Sequence, residues 1–125
     1  MSAPVILEYN LDNAQKLKLM FACAQLKITC HSVPREDYNQ PIAALAGVRR
    51  RIEGSYAGEG FTDEMLVMVN FTGNLLNAFL NALRLNRARS IALKAVMTPS
   101  NADWDSVKLH DEILREHTAM HQKKK

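Results

Sequence analysis

Hydrophobic positions near the start of the chain predict a strand, a helix and a second strand. Val5–Tyr9 is rich in residues that favour β-structure. Asp12, with Gln15 three residues further on, has the spacing of a helix-capping box. At helical spacing follow the apolar residues that we expect to form the buried face, namely Ala14, Leu17, Met20, Phe21 and Ala24. The run at residues 28–33 then indicates a second strand, which ends before Pro34.

The second half of the chain shows the same order of elements. Met65–Val69 predicts a third strand, and Thr72 is a suitable residue to cap a helix after it. That helix has the cleanest apolar stripe in the chain, formed by Leu75, Leu76, Phe79, Leu80 and Leu83. Residues 91–97 predict a fourth strand, and a last helix is expected from about Ser106 to Met120.

The segment between the halves has a different character. Residues 38–47 predict a short helix with Pro41 in its first turn and Gly47 at its end. Residues 48–62 combine arginines and glycines without a hydrophobic period, which predicts an exposed, mobile loop. We treat residues 1–125 as a single domain, with a basic tail at residues 121–125.

An internal repeat at an offset of 60 residues favours a two-part architecture. Asn10 matches Asn70, and Asp12 matches Thr72. We therefore predict an α+β ferredoxin-like sandwich, in which two βαβ halves form an antiparallel four-stranded sheet, plus a C-terminal helix. The alternative is a small two-layer or three-layer α/β protein with a mostly parallel sheet, in which the helix at 38–47 connects strands two and three.

The third strand is apolar on both of its predicted faces, since Leu66 and Met68 alternate with Met65, Val67 and Val69. A ferredoxin-like sheet leaves one face open, so something must cover it. The last helix or a second subunit would serve. We therefore expect a homodimer formed through the open sheet face, and keep an unknown protein partner as the alternative.

Composition places the protein among ordinary globular domains. Hydrophobic residues make up 47% of the chain and charged residues 23%. The net charge of +3 comes from the three lysines at 123–125, because the other 13 basic residues equal the acidic ones in number. Two cysteines without CxxC spacing, no secretion signal and no apolar run long enough for a membrane span indicate a cytoplasmic location without membrane contact.

The sequence KAVMTPSNADW at residues 94–104 is the first candidate site. Lys94 lies in a predicted strand, Thr98 precedes a proline, Asn101 suits a turn, and Trp104 can anchor the start of the last helix. All four residues are compatible with a strand-to-helix connection alone. The alternative is a site for a small anionic ligand, to which Lys94 supplies charge and Thr98 and Asn101 supply donors. In a ferredoxin-like sheet, Lys94 would also border Glu8 and pair with it.

Other candidate chemistry is weaker. Arg49, Arg50 and Arg51 are candidates for phosphate binding, but the sequence lacks an RNA-binding motif, and a solvated charged loop explains them as well. His117 and His121 share one helix face without the framing of a metalloprotease motif, so we predict no metal and no cofactor. Neither a nucleophile with a base beside it nor a phosphate-binding glycine loop is present, so we name no catalytic residue and lean against an enzyme.

The signature Lys94-Ala-Val-x-Thr-Pro-x-Asn-x-x-Trp104, with Leu109 and the pair Glu116-His117 after it, resembles that of an uncharacterised bacterial family known only as a domain of unknown function. The VILEYN strand and the segment at residues 37–41 are similar too, so the resemblance covers nearly the whole chain outside residues 49–60. It implies no activity, and it adds His117 to the candidate ligand-binding residues. We therefore expect a small non-catalytic interaction or regulatory module of unknown biochemical function.

Overall fold

A computed structural model of the protein describes residues 3–123, and the side chains of residues 3–120. The basic tail and His121 thus lie largely outside the described residues. A 3₁₀ turn, Arg35–Asp37, follows the second strand. The elements in chain order are β1 (Val5–Tyr9), α1 (Asn13–Gln25), β2 (Thr29–Ser32), α2 (Ile42–Leu45), β3 (Met65–Val69), α3 (Gly73–Leu85), β4 (Leu93–Val96) and α4 (Ser106–Lys123).

The four strands form one mixed sheet in the order β2-β1-β3-β4. The pairs β1–β2 and β3–β4 are parallel, and only the central pair β1–β3 is antiparallel. The α+β class is therefore correct, but the prediction of an antiparallel ferredoxin-like sheet is wrong. In each half the helix carries the chain back to the end of the sheet where that half began, so the second strand lies parallel to the first. The alternative prediction of a mostly parallel sheet describes two of the three strand pairs.

The repeat at an offset of 60 residues is confirmed in three dimensions. α1 and α3 begin and end at positions 60 residues apart. Asn10 and Asn70 both adopt left-handed backbone conformations, with φ of 63° and 64°. Asn10 Nδ2 donates to the Asp63 carbonyl at 3.0 Å, and Asn70 Nδ2 donates to the Ala3 carbonyl at 3.0 Å. Each asparagine thus connects the end of one central strand, β1 or β3, to the residues just before the other central strand.

Helix starts follow the predicted capping residues. The Asp12 carboxylate accepts from the Gln15 backbone N–H at 2.8 Å, and the Thr72 hydroxyl accepts from the Leu75 N–H at 3.1 Å. The predicted helix at 38–47 is shorter in the structure, because only α2 has helical geometry. Gly47 follows it with φ of 79°, a conformation that suits glycine at a helix end.

Both faces of the sheet are covered within the chain. α1 and α3 pack on one face, where Ile6 and Leu66 meet Leu19 and Phe79. α2, α4 and the loop before β3 cover the other face, on which Leu7 and Val67 meet Ile42 and Leu109. Every residue of β3 is buried. The open sheet face that we expected a homodimer to use is therefore absent, and the apolar third strand is explained by a three-layer arrangement.

The buried face of α1 differs from the prediction. Leu17, Met20 and Phe21 are 53%, 56% and 55% exposed, whereas Leu19 and Cys23 contact the sheet. α1 is apolar around most of its circumference, so the helical period alone does not select a face. We call the exposed residues Leu17, Met20 and Phe21 the α1 stripe.

The loop at residues 48–62 has no helix or strand and is anchored at several points. The buried Gln40 side chain accepts from the Ile52 N–H at 2.8 Å and donates to the Ile52 carbonyl at 2.8 Å. Tyr56 and Phe61 pack against the core.

In the part of the chain that the structure describes, a membrane-crossing helix is ruled out, since none is both long and apolar enough.

Candidate functional site

The turn at residues 98–104 is held by hydrogen bonds of its own. Asn101 Oδ1 accepts from the Thr98 backbone N–H at 2.8 Å, and Asn101 Nδ2 donates to the Val96 carbonyl at 3.3 Å. The Thr98 hydroxyl accepts from the Asn101 N–H at 3.3 Å. The Asn101 side chain thus bonds residues that precede it, and the predicted turn is present. Inside the turn the Thr98 hydroxyl acts as an acceptor, and the Asn101 side chain uses its oxygen and one amide N–H, so both side chains have a structural role there.

The same turn is docked onto α2 and α4. The Ile42 and Ala43 N–H groups donate to the carbonyls of Trp104 and Ala102, at 2.9 and 3.0 Å. Trp104 packs against the core, and the Lys108 ammonium lies 4.9 Å from the centre of its ring. Trp104 therefore has the predicted role of an anchor at the start of the last helix.

A cavity of about 310 Å³ lies beside this turn, between β4 and α4, and we call it the turn cavity. Lys94, Thr98, Asn101 and Trp104 all contribute to its lining, so the structure brings four of the predicted site residues together. Its other polar lining residues include Glu112 and Glu116. Because two carboxylates repel an anion, the electrostatics of this cavity do not favour the predicted ligand.

His117 lies on α4 and is partly buried, but it does not line the turn cavity. Its predicted companion His121 is among the residues whose side chains the structure leaves undescribed. Between residues 3 and 120, no three side chains of the His, Cys, Asp or Glu type are grouped to hold a metal ion.

Lys94 also lines a second cavity, on the other side of β4. In the sheet it pairs with Leu66, whose side chain faces α1 and α3. Glu8 pairs with Leu66 from the opposite side, so one strand separates Glu8 from Lys94 and the predicted ion pair is absent. The Lys94 ammonium instead donates to the Ile91 carbonyl. Strands about 4.8 Å apart leave Lys94 and Glu8 about 10 Å from each other.

This second cavity, of about 290 Å³, combines apolar walls with cations, and we call it the basic cavity. Its lining residues are Leu80, Leu83, Arg84, Ala88, Arg89, Ser90, Ile91 and Lys94. None of them is acidic. Arg84 donates to the side chain of Asn81. Neither Arg84 nor Lys94 forms an ion pair with a carboxylate among the described residues. Their charges are therefore available to a ligand.

Arg89 is held firmly at the edge of the basic cavity. Its guanidinium donates to Glu64 at 2.6 and 3.0 Å and to Asp12 at 3.1 Å. The two hydrogen bonds that the guanidinium donates to Glu64 raise the pKa of Arg89 above its ordinary value. The buried Gln15 side chain bonds both the N–H and the carbonyl of Arg89, at 3.0 and 2.6 Å. The capping-box spacing predicts only one role for Gln15, and its repeat partner Leu75 gives no signal for this second role.

The arginine run at residues 49–51 is largely occupied by acidic partners. Arg51 forms an ion pair with Asp37 at 2.7 Å, and Arg49 forms one with Asp103. Arg50 is exposed. Among the aromatic side chains near this loop, the buried Tyr38 stacks on Phe61, with ring centres 4.7 Å apart, and makes a tilted contact with Tyr56. The buried Tyr38 therefore offers no ring face on which a base could stack.

A buried histidine that the sequence analysis did not single out lies on α4. His110 stacks on Phe61, with ring centres 4.0 Å apart. Its Nε2 lies 2.7 Å from Asp63 and its Nδ1 lies 3.1 Å from Asp111. Each ring nitrogen thus lies within hydrogen-bonding distance of a carboxylate. The arrangement ties α4 to the loop before β3 and resembles a structural clamp more than a catalytic pair, because both nitrogens are used.

The fold and these sites define a small α+β protein built from two βαβ units, with cavities along its outer strand. A protein-family model described as "Domain of unknown function (DUF3783)" matches residues 64–120, the segment that contains β3, α3, β4 and most of α4. The match confirms the resemblance to a family of unknown function. Comparisons with curated proteins and with solved structures gave no match.

Proposed function

We propose that the protein is a non-catalytic binding module that holds a small anion with an apolar part in the basic cavity. The observation that carries the proposal is the lining itself, in which Arg84, Arg89 and Lys94 surround Leu80, Leu83 and Ile91 without an acidic residue. Arg89 is neutralised by its carboxylate partners, so Arg84 and Lys94 supply the attraction. The apolar wall favours an alkyl or aryl group over a bare inorganic ion.

This proposal retains Lys94 from the site expected at the 98–104 turn and replaces Thr98 and Asn101. Those two residues hydrogen-bond each other within the turn, and Glu112 and Glu116 line the cavity beside it. The basic cavity has neither drawback. Nucleic-acid binding through the arginine run has less support, because Arg49 and Arg51 already pair with carboxylates.

Calorimetric titration with octanoate, benzoate and phenyl phosphate, with inorganic phosphate as the charge-only probe, tests the proposal. We expect at least one organic anion to bind, and Lys94→Gln or Arg84→Gln to weaken it about 10- to 100-fold, because each removes a hydrogen bond between charged groups. Lys18→Gln is the matched control, since Lys18 lies outside the cavity. Equal binding by wild type and Lys94→Gln, or no binding at all, would sink the proposal.

A second candidate function, self-association, is favoured by the α1 stripe. Three large apolar side chains that are each more than half exposed form one face of α1. Two copies related by a twofold axis could pack these stripes against each other, as isologous interfaces do. We expect sedimentation to show a dimer at high micromolar concentration and a monomer for Phe21→Lys. A wild-type protein that stays monomeric there would end this candidate.

The two cysteines support a reducing compartment, and we therefore place the protein in the cytoplasm. Cys23 is buried beside the partly buried Cys30, and both are free thiols. Paired cysteines this close in one core tend to be oxidised in secreted proteins.

A further inference from the structure

A third cavity contains a buried carboxylate that lacks a full set of partners. The Glu8 side chain on β1 is only 2% exposed, and its Oε1 lies 3.8 Å from the Lys16 ammonium. Its Oε2 has no hydrogen-bond partner among the described residues. A buried carboxylate oxygen without a hydrogen-bond donor destabilises a fold. Its presence on β1 therefore calls for a functional explanation.

The cavity beside it is open to a small molecule. It has a volume of about 230 Å³ and is lined by Glu8, Lys16, Met20, Cys30 and Ser32. It lies between α1 and the β1–β2 edge of the sheet, where Glu8 and Ser32 are register partners. The volume equals that of roughly seven to eight water molecules, enough for a compact metabolite. The cavity shares no lining residue with the basic cavity.

The charges of the lining narrow the class of ligand. The Glu8 carboxylate attracts a cation, but the Lys16 ammonium beside it repels that cation. An anion is attracted by Lys16 and repelled by Glu8. A molecule that carries a positive and a negative charge close together can pair with both Glu8 and Lys16. Lys16 is 39% exposed, so its ammonium can leave the long 3.8 Å contact and turn toward a ligand.

We propose that this cavity binds a small zwitterion of the α-amino acid class. The ligand's ammonium donates to the Glu8 carboxylate, and its own carboxylate accepts from the Lys16 ammonium and the Ser32 hydroxyl. Met20, which is 56% exposed and lines the cavity, provides apolar surface for the ligand's side chain. This inference is independent of the anion proposed for the basic cavity.

Calorimetric titration and thermal unfolding of the full chain test the proposal with glycine, L-alanine, L-leucine, L-methionine and L-glutamate. Butylamine and butyrate, which carry one charge each, are the matched probes. We expect at least one amino acid to bind and raise the unfolding midpoint, and neither single-charge probe to reach a tenth of its affinity. If butylamine binds as tightly as the amino acids, the ligand's carboxylate contributes nothing, and the proposal of a zwitterionic ligand is wrong.

Two variants connect binding to the residues. Glu8→Gln keeps the shape of the side chain and removes the unpartnered charge, so we expect its ligand-free midpoint to equal or exceed that of wild type, while amino acid affinity falls at least tenfold. Lys16→Met is expected to lose affinity to a similar extent, and Lys18→Met on the same helix to keep it. If no amino acid binds wild type, or if Glu8→Gln is stable and binds equally well, the cavity holds only solvent and the inference is wrong.

Discussion

Replacing Asn101 by alanine tests whether the 98–104 turn is scaffold. The substitution removes the acceptor for the Thr98 N–H at 2.8 Å and the donor to the Val96 carbonyl at 3.3 Å. A hydrogen bond of this kind contributes about 0.5–1.5 kcal/mol net, and the second is long, so the free energy of unfolding should fall by about 1–2 kcal/mol. For a chain of 125 residues, each kcal/mol lowers the unfolding midpoint by roughly 3–6 °C.

Two further variants make the experiment specific. Asn101→Asp keeps an oxygen that accepts from Thr98 and loses the donor to Val96, so we expect about half of the alanine effect. Ser100→Ala lies in the same turn, and its hydroxyl has no hydrogen-bond partner among the described side chains, so it should change stability by less than about 0.5 kcal/mol.

Thermal and urea unfolding followed by circular dichroism measure these differences, with an unchanged dependence on urea as the sign that only stability has changed. If Asn101→Ala unfolds at the wild-type midpoint or above it, the hydrogen bonds of Asn101 do not stabilise the fold. The reasoning that assigns the turn to scaffold would then be refuted, since a residue that costs stability is more typical of a binding site.

The other predictions concern Tyr9, which lies on the same face of the sheet as Trp104, and the anchored loop. The Tyr9 hydroxyl lies 2.7 Å from the Ser106 hydroxyl, both residues are fully buried, and Tyr9→Phe should lower the free energy of unfolding by about 1–3 kcal/mol. Burial also raises the pKa of Tyr9 above its ordinary value. The unfolded chain therefore releases this proton first, so wild-type stability should fall as pH rises above about 10, by up to about 1.4 kcal/mol per pH unit. Urea midpoints between pH 9 and 11 should show a smaller decline for Tyr9→Phe, and identical slopes would contradict the assignment. Gln40→Ala removes both hydrogen bonds to Ile52, so trypsin should cleave the arginine run at residues 49–51 faster than in wild type, with an unchanged cleavage rate as the contrary result.

Much of the local structure followed from short stretches of sequence. β1 and β3 lie where the apolar runs predicted them, and Asp12 and Thr72 cap their helices as predicted. β2 and β4 are shorter than predicted, because the ends of the apolar runs extend beyond the paired residues. Caps and strands succeed since they depend on neighbouring residues along the chain.

The candidate sites were predicted less well. Lys94, Thr98, Asn101 and Trp104 do line one cavity, but the accompanying Glu112 and Glu116 come from α4 and reverse its charge. The cations that join Lys94 in the basic cavity belong to α3 and the segment after it. The repeat contained one unused signal, because Leu19 matches the buried Phe79 and Met20 matches the more exposed Leu80, which assigns the faces of α1 correctly.

The sequence by itself determined the helices, the strands, their caps and the division into two similar halves, because all of these arise from interactions between residues close along the chain. Only the tertiary structure decided that each outer strand lies parallel to the strand of its own half, and that the halves join through the antiparallel pair β1–β3. Strand order depends on contacts between residues that are distant along the chain. These contacts form only when the whole core packs, so short stretches of sequence do not reveal them. The same packing turned the α1 stripe toward solvent and buried Glu8 beside a cavity.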